Sequence, residues 1–321
     1  MGRYLLTRLA FALLLVFVVS SAALLLTRIA PGDYAAMQGV DLSAEQRAQL
    51  RTSLGLDRSF ASQYLSWLRG ATRFDFGDSL LYSRPVSTIV SERALNTAVL
   101  ATIALLLATA IGIPLGIYSG TRSGAGRSIV RTLSVLGLSV PPLIGSLALV
   151  FIAARTGWFP VGGMTSPGDA NLTWAHWLAD LARHVPLPAM ALAIPMAATV
   201  ERLQSQAIAA ASHEPFVAAS RARGVDRARS ILHHAWPVSL PPVLGFYGVM
   251  IGSLFSGSFV VEVVTSWPGL GRLMFDALKA RDLFLVAGCA ATGALFLAAG
   301  TLLSDLILAY LDPRVRSGER A

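Results

Sequence analysis

Side-chain catalysis needs a nucleophile beside a base, a pair of carboxylates or a cluster of metal ligands. This sequence holds none of these in a recognisable spacing: it has no H-E-x-x-H, C-x-x-C or G-x-S-x-G run, and Cys289 is its single cysteine. The five histidines, His176, His184, His213, His233 and His234, fall in segments expected to be loops or at their edges. On a helix the neighbours His233 and His234 would point about 100° apart, a poor arrangement for sharing one metal. Lys279 is the only lysine and lacks the flanking glycines of a phosphate-binding loop, which excludes nucleotide hydrolysis by that route. Within the apolar runs the carboxylate that stands out is Asp305, near enough to a boundary to pair with Arg314 or reach the interface. The runs otherwise offer hydroxyls, among them Ser253, Ser256 and Ser258. No enzymatic activity, metal or bound cofactor is expected of this chain itself.

The segment with the most informative chemistry is 201–237. Ser212 can cap a short helix, Pro215 suits its first turn and Gly224 can end it in a left-handed conformation, after which Asp226 starts a second helix. Ala218, Ala219 and Ala222 give this element a small face that another protein can approach closely. Arg221, Arg223, Arg227 and Arg229 can form ion pairs or meet anionic headgroups.

The elements that must position this elbow follow from composition. Of 321 residues 54% are hydrophobic and only 14% charged, with a net charge of +8 and a mean hydropathy of +0.61. A soluble domain carries about 25% charged residues, so a polytopic, all-α membrane protein is predicted. Apolar runs at 9–29, 96–118, 130–154, 187–209, 238–259 and 283–303 are each long enough to cross a bilayer. The first is too long for a signal-peptide core, so it reads as a retained span. Six spans place both ends on one side. Basic residues concentrate at the amino end, in 119–131, in 201–237 and after Tyr310, whereas the opposite short loops hold Arg155, Arg183, Arg272, Lys279 and Arg281. The positive-inside bias therefore predicts cytoplasmic termini.

Arginines dispersed between spans do not form a nucleic-acid stripe, and the scarcity of mid-span charge argues against a proton- or ion-coupled carrier. The 31–93 segment reads as soluble helices. Ser43 and Gln46 have capping-box spacing, and Tyr64, Trp67 and Leu68 share one face of a helix that follows Ser59. Trp158, Trp174, Trp177 and Trp267 are expected in an interfacial belt. Pro114, Gly116, Pro141, Pro142 and Pro195 are expected to kink spans or to free backbone groups along a polar path.

Pro31-Gly32-Asp33, Leu54-Gly55-Leu56-Asp57-Arg58, Asp75-Phe76-Gly77-Asp78-Ser79, Phe216-Val217, Arg221-Ala222-Arg223-Gly224, His234-Ala235-Trp236-Pro237, Trp267-Pro268-Gly269-Leu270-Gly271-Arg272 and Leu311-Asp312-Pro313-Arg314 occur in that order. With these the chain resembles the integral-membrane permeases of ABC importers of the oligopeptide/dipeptide/nickel type. One departure is Ala218, which stands where the wider family has the acid of its E-A-A motif; Glu214 lies four residues upstream.

The resemblance implies a first span at 1–30, an extracytoplasmic helical cap at 31–93, a five-helix core at 94–310 that includes the ATPase-coupling loop 201–237, and a cytoplasmic tail at 311–321. It further implies a bacterial inner-membrane location, a second homologous permease chain, two ATPase subunits that use ATP and Mg, and an external substrate-binding protein. Phe216, Ala219, Arg221 and Gly224 are then expected to couple to an ATPase. Ser253, Ser256, Glu262, Trp267, Pro268 and Gly269 are expected along the path or at its outer mouth. Peptide is the expected substrate; the alternatives are nickel, another small solute, or a scaffold role without transport.

Overall fold

The computed structural model describes residues 2–38, 43–73, 75–166 and 173–311. The tail arginines Arg314, Arg316 and Arg320 and the side chain of Asp305 lie outside the described residues. Every regular element described is helical, and the pairing of Asp78 with Pro85 is an isolated bridge. Among the described residues four helices are long and apolar enough to cross a membrane, or up to six if each of two bent pairs is one span. The chain divides into two compact units, Met1–Ala98 with Pro268–Ala298 and Val99–Trp267 with Ala299–Ala321.

In the first unit, helix α1 (Gly2–Ile29) is followed by the short α2 (Tyr34–Gln38), α3 (Ala44–Ser53) and α4 (Phe60–Ala71). The capping box that opens α3 is reciprocal. Ser43 Oγ accepts from Gln46 N–H at 3.2 Å, and Gln46 Oε1 accepts from Ser43 N–H at 2.9 Å. Helix α4 turns its apolar face inward, so that Trp67 packs with Leu24 of α1 and with Leu283 and Ala287, and Tyr64 and Leu68 flank that cluster. The rings of Phe60, Tyr64, Trp67 and Phe76 form a ladder with centroids 6.0–6.4 Å apart, within the range for favourable aromatic pairs. Tyr64 OH also shares a 2.9 Å hydrogen bond with Ser21 of α1.

The same unit contains α13 (Leu270–Ala280) and the start of α14 (Leu283–Leu311). Between them the fully buried Asp282 accepts hydrogen bonds from Ser79 Oγ (2.6 Å), Leu81 N–H (3.0 Å) and Leu285 N–H (3.1 Å). One carboxylate thus caps α14 and pins the 78–85 turn to it.

Helix α5 (Val86–Thr121) has 36 residues, about 54 Å at 1.5 Å per residue, well beyond a hydrocarbon core of about 30 Å. It begins ten residues before the apolar run at 96–118, so Glu92 and Arg93 of the expected soluble segment are helical.

In the second unit the expected span at 130–154 is interrupted. Helix α6 (Ala125–Ser139) and helix α7 (Pro142–Thr156) meet at a 102° bend. Val140, ahead of two prolines, is extended (φ −91°, ψ 111°), as a residue preceding proline prefers, and Pro142 opens the new helix. Helix α8 (Trp174–His184) and helix α9 (Pro186–Ala211) join at 48°, and there Val185, ahead of Pro186, keeps helical angles (φ −64°, ψ −38°).

Helix α9 lies at the centre of this unit. Gly112, Gly116 and Gly120 of α5, four residues apart, face it so closely that a Cβ on Gly112 would sit 2.6 Å from Val200 Cβ. One on Gly116 would sit 2.6 Å from Gln204 Cβ and 2.8 Å from Glu201 O, and one on Gly120 would overlap Ile208 and Ser205 O. This is the small-xxx-small packing used by membrane helices. The core around it joins Leu100, Ala104 and Ala108 of α5 to Ala189, Leu192, Met196 and Val200 of α9.

Candidate functional site

Helix α9 continues to Ala211, so 201–211, assigned to a loop by sequence, is helical. Ser212 closes α9 and does not open the next helix: its Oγ donates to Ile208 O at 2.6 Å. The N-cap position of α10 (Pro215–Ala222) belongs to Glu214, with Pro215 at the first turn. Gly224 has φ +85° and nothing within 4 Å of where a Cβ would be, so the glycine serves the left-handed turn and not a tight space.

Asp226 Oδ2 then accepts from Ala228 N–H at 3.0 Å and caps α11 (Arg227–Ser230). Here the structure differs from the expected second short helix. Helix α11 runs through a π-helical turn (Ile231–Ala235) into α12 (Trp236–Val264), a continuous helical segment from Arg227 to Val264. The acid-capped, arginine-rich turn is therefore the root of a long membrane helix.

Two faces of α10 differ sharply. Val217 (2% exposed) packs with Ile208 and Ala211 of α9 and with Ala235, while Ile231 and Trp236 close the cluster. Ser220 is also buried on this side. Phe216 (42% exposed), Ala219 and Arg223 form an outward stripe, and Ala218, Arg221 and Ala222 are exposed as well. Phe216 and Ala219 thus share one accessible face, Arg221 is exposed on the other side of the buried Val217 and Ser220, and Gly224 follows the end of the helix. Arg227 lines a concavity with Ala218, Arg221 and Gly224 and donates to Thr121 O at 2.6 Å.

The residues expected along a path or mouth are divided between the units, Ser253, Ser256, Glu262 and Trp267 in the second and Pro268 and Gly269 in the first. Ser253 and Ser256 are exposed on α12, and Ser253 Oγ donates to Met250 O at 2.8 Å. Glu262, nine residues and thus about 180° from Ser253, is fully buried. Trp267 is fully buried in the core of the second unit, unlike Trp158, Trp174 and Trp177, which are exposed as a belt requires. Trp267 N–H donates to Glu262 O at 2.9 Å, closing the turn after α12. In the first unit Pro268 O accepts from Asn96 Nδ2 at 2.8 Å and Arg93 at 3.3 Å. Gly269 is buried ahead of α13, and Leu270 N–H donates to Thr97 Oγ1 at 2.8 Å.

Sequence reasoning missed a buried polar cluster on α9. Glu201 (1% exposed) accepts a short hydrogen bond from Ser119 of α5, and Gln204 Nε2 donates to Ser239 Oγ of α12 at 2.8 Å. Glu201 Oε2, Gln204 Oε1 and Ser205 Oγ have no hydrogen-bond partner. The usable signal was the four-residue glycine spacing on α5, which brings α9 near enough for these bonds. The Ser119 hydroxyl and the Glu201 carboxylate that it meets are both buried in the contact of α5 with α9. Among the described residues no three His, Cys, Asp or Glu side chains are grouped to hold a metal.

Two family models and full-length relatives match nearly the whole chain. The model of the inner membrane component of binding-protein-dependent transport systems matches residues 112–317, and the model of its N-terminal region matches 1–101. The oligopeptide transport system permease protein AppB of Bacillus subtilis is 30% identical over 98% of this chain and 99% of its own length. A Sinorhizobium fredii protein, y4tP, named as a peptide ABC transporter permease, is 31% identical over 98% of this chain and all of its own. The structure is similar to that of the MetNI methionine ABC transporter in inward-facing conformations. The TM-score is 0.53 at 16% identity, over 70% of this chain and 96% of that one, a likeness of fold. The chain belongs to the inner membrane component family of binding-protein-dependent transport systems.

Proposed function

We propose that this chain forms, with a second homologous permease chain, the translocation path of an ATP-driven peptide importer of the bacterial inner membrane, with both termini cytoplasmic. Two ATPase subunits supply the ATP and Mg chemistry, an external binding protein delivers the substrate, and this chain catalyses nothing itself. Peptide as the cargo is supported by the names of relatives that align over nearly the whole chain. The observation that carries the coupling role is the two-faced α10. Phe216 and Ala219 on one edge and Arg221 on the other are exposed to a protein partner, while Val217 locks the buried side onto α9 and the root of α12. A rocking of the ATPase pair would move α10 as a rigid knob and with it the membrane helices, a two-state equilibrium biased by nucleotide. The family's loop acid is absent at Ala218, so the contact rests on Arg221 and the small helix face.

The test is uptake of a labelled oligopeptide into proteoliposomes holding the whole complex with ATP on the ATPase side. Gly224→Val places a β-branched residue at φ +85°, a conformation that costs about 1–2 kcal/mol even for ordinary residues. ATP turnover should persist while uptake falls at least severalfold. Uptake that continues without the ATPases, or that is unchanged in the variant, refutes the proposal.

A further inference from the structure

A groove of about 700 Å³ separates the last turns of α5 from the joint of α11 with α12. Its floor is apolar, formed by Ile113, Pro114 and Ile117 on one side and Ile231, Leu232 and Trp236 on the other. At one end stand two guanidinium groups. Arg122 lies over the Tyr118 ring, 5.4 Å from its centroid. Arg227 is held against the adjacent residue by its 2.6 Å bond to Thr121 O. Both are exposed, and no ion pair of either with a carboxylate is seen among the described residues. Asp226, the acid at this rim, turns its Oδ2 back onto Ala228 N–H. A positive rim at the end of a 36-residue membrane helix and an apolar trough running along that helix are complementary to one ligand shape, an anionic head on a hydrocarbon tail.

We propose that this groove binds a phospholipid with an anionic headgroup, its phosphate between Arg122 and Arg227 and one acyl chain laid along Ile113, Ile117 and Leu232. A free phosphate would leave the apolar trough unused, and the phosphate of a zwitterionic lipid is offset by its own ammonium group, so that it compensates the two guanidinium groups less well than a net anionic headgroup does. Trp236 forms part of the wall and its Nε1–H is buried without a partner, so its indole reports occupancy directly. The site requires only that the chain sits in a bilayer and does not depend on which way the chain points. Its occupant would brace the π-helical turn that roots α12, a distortion of the kind often found at functional positions.

The full chain in nanodiscs of phosphatidylcholine, with rising fractions of dibrominated phosphatidylglycerol or dibrominated phosphatidylcholine, provides the test. The Trp236 signal is isolated by subtracting the emission of a Trp236→Phe variant. Half-quenching should need about tenfold less brominated phosphatidylglycerol than phosphatidylcholine, from roughly fivefold per arginine reduced by the nearby Asp226. The preference should shrink in Arg122→Gln, whose side chain makes only the ring contact, and vanish in Arg122→Gln with Arg227→Gln. Equal quenching by the two lipids in the unaltered chain, or a full preference surviving in Arg122→Gln, overturns the proposal. So does inorganic phosphate erasing the preference at constant ionic strength, which would identify a free anion as the ligand.

Discussion

Replacing Gly116 by alanine tests whether the α5–α9 contact is as tight as the structure requires. The new Cβ would lie 2.6 Å from Gln204 Cβ and 2.8 Å from Glu201 O, whereas carbon atoms rest at about 3.5–4.0 Å. The helices must part by roughly 1 Å, and trimming Gln204 cannot relieve this, because its Cβ persists in alanine and the Glu201 carbonyl is backbone. Overpacking costs about 1–3 kcal/mol, with the upper end expected where backbone blocks relaxation. Alanine's helix preference returns about 1 kcal/mol. Parting the helices also stretches the bond from Ser119 to the buried Glu201 carboxylate, of a kind worth about 1.5–3 kcal/mol.

A net loss of at least about 2 kcal/mol follows from these terms. Gly145→Ala is the internal control: it lies in α7, its Cβ would meet only Val140 Cγ1 at an ordinary 3.6 Å, and it should be neutral or stabilising by up to about 1 kcal/mol. Unfolding of the purified chain by SDS titration, followed by far-UV circular dichroism, compares the two. If Gly116→Ala and Gly145→Ala unfold at midpoints corresponding to the same free energy, the close approach is wrong.

Asp282→Ala removes the acceptor of Ser79 Oγ, Leu81 N–H and Leu285 N–H at a fully buried position and should destabilise the first unit by about 2–4 kcal/mol. Limited proteolysis should then cut within 78–85 well before the unaltered chain is cut there, and equal cleavage rates would contradict the pinning role. The Asp33 carboxyl, pushed up by its partial burial, is nevertheless held below its ordinary range by Arg51 Nε at 2.7 Å, by Ala36 N–H and by the guanidinium charge. Because the folded value lies below the unfolded one, this contact stabilises above the ordinary carboxylate range and is lost as pH falls through the folded value. Hydrogen exchange in α3 should accelerate below about pH 4, and Asp33→Asn should remove that acid-dependent step.

How far the fold could be read from sequence depended on whether the deciding interaction was local. The Ser43–Gln46 capping box, the inward face of α4 and the left-handed Gly224 involve residues a few positions apart, and each forms as expected. Proline was ambiguous for a physical reason. Pro141-Pro142 breaks a helix by 102°, yet Pro241-Pro242 lies inside α12 and Pro114 and Pro195 inside α5 and α9. The lost hydrogen bond is similar in each case, so neighbouring helices decide whether the helix continues. Glu201 was misplaced because an acid is expected at a surface. Its burial depends on Ser119, 82 positions away, which comes within reach only where three glycines let α5 close on α9.

These contacts also limit how α10 can move. Val217 is wedged among Ile208 and Ala211 of α9 and Ala235 at the root of α12. A force on the exposed face of α10 must therefore empty that cluster or carry α9 and α12 with it. Extracting a buried valine costs about 1.5–3 kcal/mol, and Ala211 and Ile208 would be uncovered with it, so moving together is the cheaper response to a modest push. Movement of α9 is in turn resisted by the glycine contact with α5, by the Glu201–Ser119 bond and by the Gln204–Ser239 bond. A displacement at α10 thus reaches the membrane helices through packed side chains and backbone, without a flexible linker to absorb it.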